Sequence, residues 1–528
     1  MKTKLICSFI LALLYLIINY YYIKVFNFEE DAYIMFRYVE MFVKGYGITF
    51  YPGGEHLEGA TDFLWFILLS ILNKVHIDVG IASLILNASG VFLITYIMSA
   101  VVLNVQDTRT VKILFPFSFL WILFIPIFAA LGGFSVFLYS SIILLTVHLL
   151  NKEEKINWIP ILSIIISLFR PDGVIFGVCF TFIGLYICVK EKRRQYIINM
   201  MIALIIGIIY FTWRYTYFRE LLPLPLYVKQ SNDVWLTVKL NIKVFFSWGS
   251  IAGVTLFLIY FILQKPQDKR KIFLLSIPII IFFSILIFVY LSQNVSFRFQ
   301  APVMYIGYYL ILNMLINLLR FKIKHKKLLI GLFYLVILLT TISTIRNLGW
   351  NYIYNRFTYM NNTFPIRFSE KILHDGDVIA LTEAGRLPYW INKKVQIIDL
   401  VGLNTKYTAK NKTTKQYIEK VNPDIIMAFI NTTYEGNKNV YWIEDPYIFK
   451  NSINISGIEK HDQAMIAVEN FLLGHWKEYD VFFVKFWHSY PHVYAIKKSK
   501  KKSDILYNLL NESFNNYTSY FELKNLLK

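Results

Sequence analysis

Long apolar runs separated by short polar stretches recur from the N-terminus to about residue 346. A run of about 18 or more such residues can cross a bilayer as a helix, which satisfies its own backbone polar groups. The first run, from about Leu5 to Tyr22, follows Lys2 and Lys4. It is too long for the core of a cleavable leader and has no small-residue cleavage site, so it reads as a first transmembrane helix. Further runs lie near 62–75, 80–103, 113–130, 132–150, 158–169, 173–189, 196–213, 246–263, 271–291, 300–319 and 328–345. They predict a polytopic α-helical membrane protein of about eleven or twelve membrane segments. Charged residues make up only 17% of the chain, against about 25% in soluble proteins.

The 54 Lys and Arg against 34 Asp and Glu would suggest nucleic acid as a partner in a soluble protein. Here the cations cluster between apolar runs, at Lys190–Arg194, Lys265–Lys271 and Arg320–Lys327. That is the pattern of cytoplasmic loops, so the expected partner is a lipid bilayer and no nucleic acid. The N-terminus is then cytoplasmic, and residues 28–62, 214–245, 292–299 and everything after 346 lie outside. Between 104 and 172 the runs are short. Strict alternation from the first helix conflicts with a cytoplasmic Lys190–Arg194 unless one piece is re-entrant or two make one crossing. The three cysteines all lie in apolar runs and provide no disulfide framework.

From about 347 polar residues return, and short strand-like segments alternate with turns: 377–381, 395–399, 424–429, 479–484 and 494–496, with a helix over 413–421. Residues 1–346 thus read as a membrane domain and 347–528 as an extracytoplasmic α/β domain of ordinary size. Its basic stretch, 497–502, reads as a solvated run, with contact to anionic headgroups or acceptor phosphates as the alternative.

The first outer loop, 27–61, gathers most of the chemistry. From Ala32 to Lys44 it has no Pro or Gly, with Arg37, Glu40 and Lys44 towards one side and Ile34, Tyr38 and Phe42 near the other. This predicts an amphipathic helix lying in the membrane interface. Glu30 and Asp31 stand at its N-terminal end. They either complement the helix dipole or provide a general base for a sugar hydroxyl. Glu58 and Asp62 return a second acid pair to the same neighbourhood. Arg170, in Arg-Pro-Asp-Gly with Asp172, and Arg214, Arg219 and Arg298 are arginines expected on the outer side. A planar guanidinium suits a phosphate, and each of these also has the simpler reading of snorkelling or pairing with a nearby acid.

The segments Glu30-Asp-Ala-Tyr-Ile-Met-Phe-Arg-Tyr38, Gly45-Tyr-Gly-Ile-Thr-Phe50, Glu58-Gly59 and Phe63-Leu-Trp65 resemble the first-loop signature of GT-C membrane glycosyltransferases. They are most similar to the group of the mycobacterial terminal β-arabinofuranosyltransferase and its bacterial relatives. Further matches are Arg170–Gly173, Leu222–Lys229, Arg298-Phe with Pro302, and Ile398–Asn404. The resemblance implies a GT-C fold and inverting transfer from a polyprenyl-phosphate sugar donor to an envelope glycan or glycolipid acceptor, on the outer face of a bacterial cytoplasmic membrane. Asp31 and Glu30 inherit the catalytic role. Arg37, Tyr38, Glu58, Arg170, Asp172, Arg214, Tyr227, Lys229 and Arg298 become donor- or acceptor-binding candidates. No cofactor is required, and a divalent cation between phosphate and carboxylates remains compatible. Two departures stand out: the first acid is Glu30 where the group has Asp, and Gly132–Val136 lacks the acid of the corresponding segment. A transporter or flippase of lipid-linked saccharide is the alternative class, although no internal repeat favours it. A glycan polymerase or ligase would share the same donor.

Overall fold

The computed structural model describes residues 2–103, 130–191, 194–228, 234–245, 248–288, 298–320, 327–339, 342, 363–430, 438–446, 449, 460–485 and 491–514. The chain divides into two compact units. One comprises Met1–Phe28, Asp62–Thr216 and Asp233–Asn351; the other comprises Glu29–Thr61, Tyr217–Asn232 and Tyr352–Lys528. The three segments of the second unit are ones that the charge pattern places outside.

The first unit is helical and the protein is membrane-associated. Four described helices are long and apolar enough to cross a bilayer: Thr3–Tyr21 within α1 (Lys2–Phe26), α4 (Val79–Leu103), Arg194–Phe218, and Ala301–Leu319 within Ala301–Arg320. Shorter apolar helices cover Phe63–Lys74 (α3), Val136–Lys152, Ile156–Phe169, Gly173–Val189, Gly253–Leu263 and Lys327–Leu339. The run near 113–130 lies outside the described residues.

Side-chain contacts sort the helix ends of this unit. Lys4, Lys152 and Glu154 act electrostatically on His148, and Lys271 pairs with Glu153 at 2.9 Å. These mark one end. At the other, Ser135 Oγ donates to Asp62 Oδ2 (2.7 Å) and Trp65 Nε1 donates to the Gly133 carbonyl (3.4 Å). The Phe28 ring lies against Gly80 and Gly132 there. α3 therefore starts, and α4 starts, at the same end. Its 12 residues rise only about 18 Å at 1.5 Å each, well short of the ~30 Å of a hydrocarbon core. Among the described apolar helices, α3 is thus one that is too short to cross and that shares its starting end with α4. Asn87 of α4 secures the loop beside it, donating to the carbonyls of Gly132 (3.2 Å) and Phe134 (2.8 Å) and accepting from the Phe137 amide (3.1 Å).

In the second unit a six-stranded sheet runs β2-β1-β3-β6-β5-β4. β1 (Val378–Leu381), β2 (Gln396–Asp399) and β3 (Ile425–Phe429) are parallel, with Ala380 opposite Ile398 and Ile426. Both faces of such strands are covered, which is why they read as continuous apolar runs. β6 (His492–Lys497) pairs antiparallel to β3, β5 (Tyr479–Val484) to β6, and β4 (Val440–Ile443) to β5. The helix Lys460–His475 covers the core through Ala464, Ala467, Val468, Phe471 and Leu472. Five strands coincide with the sequence expectation; β4 does not appear in it.

Two expectations change here. In α2 (Glu30–Val43) the eight consecutive residues Ala32 to Val39 are all buried, Arg37 among them, so its buried surface is wider than one stripe, while Glu40 and Lys44 stay partly exposed. Lys497, Lys500 and Lys502 of the 497–502 stretch are pinned rather than solvated, while Lys498 and Lys501 are exposed. Lys500 pairs with Asp377 and Asp424, Lys497 with Asp424, and Lys502 Nζ donates to the carbonyls of Lys371 and Ile372.

Candidate functional site

α2 opens at Glu30, and its first side chain is already committed. Glu30 Oε1 accepts the amide N–H of Gly385 (2.9 Å) and of Arg386 (2.8 Å). These amides lie just after β1, where the short helix Arg386–Trp390 begins. A Cβ at Gly385 would collide with the Glu30 backbone carbonyl, so only glycine allows the approach. Tyr389 then packs on Tyr33 and Phe36, with centroids at 5.2 and 6.0 Å.

The rest of the first-loop signature seats the loop on the sheet. Arg37, 1% exposed, donates from Nε to the Phe50 carbonyl (3.0 Å) and from Nη1 to the Ile391 carbonyl (2.9 Å). Expected as a donor contact, it is placed instead as a buried strut. Tyr38 is fully buried against Phe50, and burial pushes its phenol up. Glu58 is buried as well. Gly59 is wedged between the Tyr38 hydroxyl and the Asn404 side chain. Asn404 belongs to the segment Ile398–Asn404, whose Asp399 accepts N–H groups from Val401, Gly402 and both nitrogens of Asn404. The carboxylate of Asp399 therefore organises a turn. The first-loop segments and Ile398–Asn404, read as separate motifs in the sequence, thus pack against each other.

Sequence reasoning missed Glu383 and His492, the acid and the histidine beneath Glu30. Glu383 follows β1, and its Oε2 lies 3.1 Å from Nε2 of His492, a fully buried ring packed on Phe429. Burial first, and then the neighbouring Glu383, push the Glu30 carboxyl up to about 8, with Asp31 adding to the rise and Arg386 opposing it. The carboxyl ends of β1 and β3, where the strand order switches direction, meet here. This is the usual ligand crevice of open α/β sheets. The one available signal was the turn Glu383-Ala-Gly-Arg386 directly after a predicted strand. Asp31, the next residue of α2, is half-buried.

In the first unit Arg170 and Asp172 are brought together, Nε to Oδ1 at 2.9 Å. Asp62 acts on the same guanidinium. Arg170 is 5% exposed and lies 5.1 Å from the ring centroids of both Tyr139 and Phe299. Arg298 stands over Phe134 (4.2 Å) and shares Phe299 (5.2 Å). Arg170 thus has two acids facing it and reads as an internal tie, whereas Arg298 is carried on aromatic faces. Arg214 is buried on the helix Arg194–Phe218.

Tyr227 belongs to the second unit, with Lys410 Nζ 5.5 Å from its ring. Glu220 of the same segment binds Lys406 (2.7 Å) and Lys410 (2.6 Å). Burial alone would raise its carboxyl, but the two lysines outweigh that and hold it below the ordinary range. Lys229 lies outside the described residues.

A domain of unknown function, DUF8728, matches residues 358–485. That span includes Glu383, Gly385, Arg386 and Asp399, and stops short of His492. No curated protein and no solved structure matches the chain.

Proposed function

We propose that the protein is a membrane glycosyltransferase of GT-C type, moving a sugar from a polyprenyl-phosphate donor to an envelope glycan or glycolipid on the outer face of a bacterial cytoplasmic membrane. The observation that carries this reading is the folding of Glu30, Asp31, Arg37, Tyr38 and Glu58-Gly59 as one loop seated on the α/β sheet, with Asp31 next to an anchored Glu30. Asp31 is the general base: it takes the proton of the acceptor hydroxyl as the oxygen attacks the anomeric carbon. The bond from that carbon to the phosphate oxygen breaks, and the electron pair leaves with the polyprenyl phosphate. A guanidinium close to the departing phosphate would stabilise its growing charge, and the resemblance makes Arg298 a candidate for that task through its Arg298-Phe match.

The helix ends support the matching topology. With α3 as a re-entrant limb, alternation from a cytoplasmic N-terminus puts Lys190–Arg194 inside without conflict. It gives eleven crossings if the run near 113–130 is one of them.

The test is transfer from a radiolabelled polyprenyl-phosphate sugar panel in membranes carrying wild type or Asp31→Asn. Wild type is expected to form a glycan product, and Asp31→Asn to lose about 100-fold or more of the rate while still expressing. Passage of lipid-linked saccharide across proteoliposomes without donor consumption would replace this reading by transport.

A further inference from the structure

The buried cluster beneath α2 has no part in the proton transfer assigned above, yet it holds two acids, a histidine and an arginine at the ligand crevice of the sheet. Both amides that reach Glu30 use the same oxygen, Oε1. These two bonds alone would favour a charged carboxylate, but burial and the neighbouring Glu383 outweigh them, and a neutral carboxyl can still accept both on its carbonyl oxygen while Oε2 carries the proton. The ionisable groups facing Glu30 are Glu383 after β1, Arg386 at the start of the next helix, Tyr494 on β6 and its own neighbour Asp31. His492 on β6 is paired to Glu383, and Glu383 in turn opposes a negative charge on Glu30.

We infer that Glu30 is a positioning residue and not the base: its neutral carboxyl docks α2 onto the Gly385 and Arg386 amides, the Glu383–His492 pair maintains that neutral form, and the dock places Asp31. Ionisation of Glu30 beside Glu383 and Asp31 loosens the dock, so the first loop responds to alkaline pH. The sign follows from the direction of the shift. A carboxyl that is raised in the fold stabilises docking fully below its ordinary value near 4.5, and this is lost as pH rises through about 8.

This inference builds on the proposed transferase, but its first readout is independent of activity. Hydrogen exchange of the α2 amides is followed by mass spectrometry in the full-length protein in detergent from pH 6 to 9.5, at matched intrinsic rates. Wild type is expected to lose protection of 30–43 above about pH 8. Glu30→Gln keeps a neutral carbonyl acceptor and should hold its protection flat across the range, as should Glu383→Gln, which removes the opposing charge. Glu30→Ala should be unprotected throughout. Flat protection in wild type, or wild-type behaviour of Glu30→Ala, overturns the inference. The second readout is transfer: Glu30→Gln should retain activity within about 3-fold of wild type and lose the alkaline decline, while Glu30→Ala falls at least 10-fold. A Glu30→Gln enzyme as inactive as Asp31→Asn would make Glu30 the base and overturn the assignment. If wild type transfers no sugar at all, the exchange data still decide the dock.

Discussion

Arg37 shows why a residue's type is a weaker guide than its partners. An arginine six positions after a membrane-proximal carboxylate pair looks available to a phosphate, but both of its observed bonds go to main-chain carbonyls. Its charge is spent on holding the 45–62 turn and Ile391 to α2. Replacing it with Lys keeps the charge and loses the planar fork, leaving at least one buried carbonyl unmatched. Arg37→Lys is expected to destabilise the second unit by about 2–4 kcal/mol, read as a lower melting temperature of the purified protein. The donor KM of whatever enzyme remains folded should be unchanged. Gly59→Ala should act similarly, because a methyl there meets Asn404 and Tyr38 at once. Overpacking of this kind costs about 1–3 kcal/mol.

The elements were more legible than their roles. Each described apolar run became a helix within a few residues of its expected bounds, because length and hydropathy decide that locally. Strands β1, β2 and β3 were visible as β-branched runs between turns. β4, four residues of Val-Tyr-Trp-Ile, was not: its pairing with β5 comes from tertiary context and not from a local signal. The amphipathic reading of α2 missed the burial of Arg37 for a related reason, since its partners in the turn at Phe50 and after Trp390 come from distant sequence, while Glu40 and Lys44 keep their exposure. Among the outer arginines the sequence could not say which was already answered by acids. Asp62 and Asp172 converge on Arg170 only in three dimensions. The two substitutions should therefore separate. Arg298→Ala is expected to raise the donor KM about 10-fold or more in protein that still folds. Arg170→Ala leaves two half-buried carboxylates without the guanidinium they share and should reduce the yield of folded protein, as judged by size-exclusion chromatography.

At the scale of the whole molecule, the positive-inside pattern and the contact pattern make one joint claim. Glu29–Thr61, Tyr217–Asn232 and Tyr352–Lys528 form a single compact unit, and the expectation from charge counting puts all three opposite Lys190–Arg194. In the helical unit, Lys4, Glu153 and Lys271 gather at one end, which joins the N-terminus to a turn that counting alone could not place. In a variant with Cys7, Cys179 and Cys188 replaced by Ala, single cysteines at exposed Lys44, Leu222 and Tyr407 should all react with a membrane-impermeant maleimide added to intact cells. A cysteine at exposed Glu153 should react only after the membrane is opened. A cysteine at Val75, exposed just past the end of α3, separates the two topologies. If α3 turns back within the outer half, Val75→Cys labels from outside or from within the bilayer edge with small polar reagents. If α3 crosses, it labels from the cytoplasm together with Glu153→Cys, and the eleven-crossing arrangement falls.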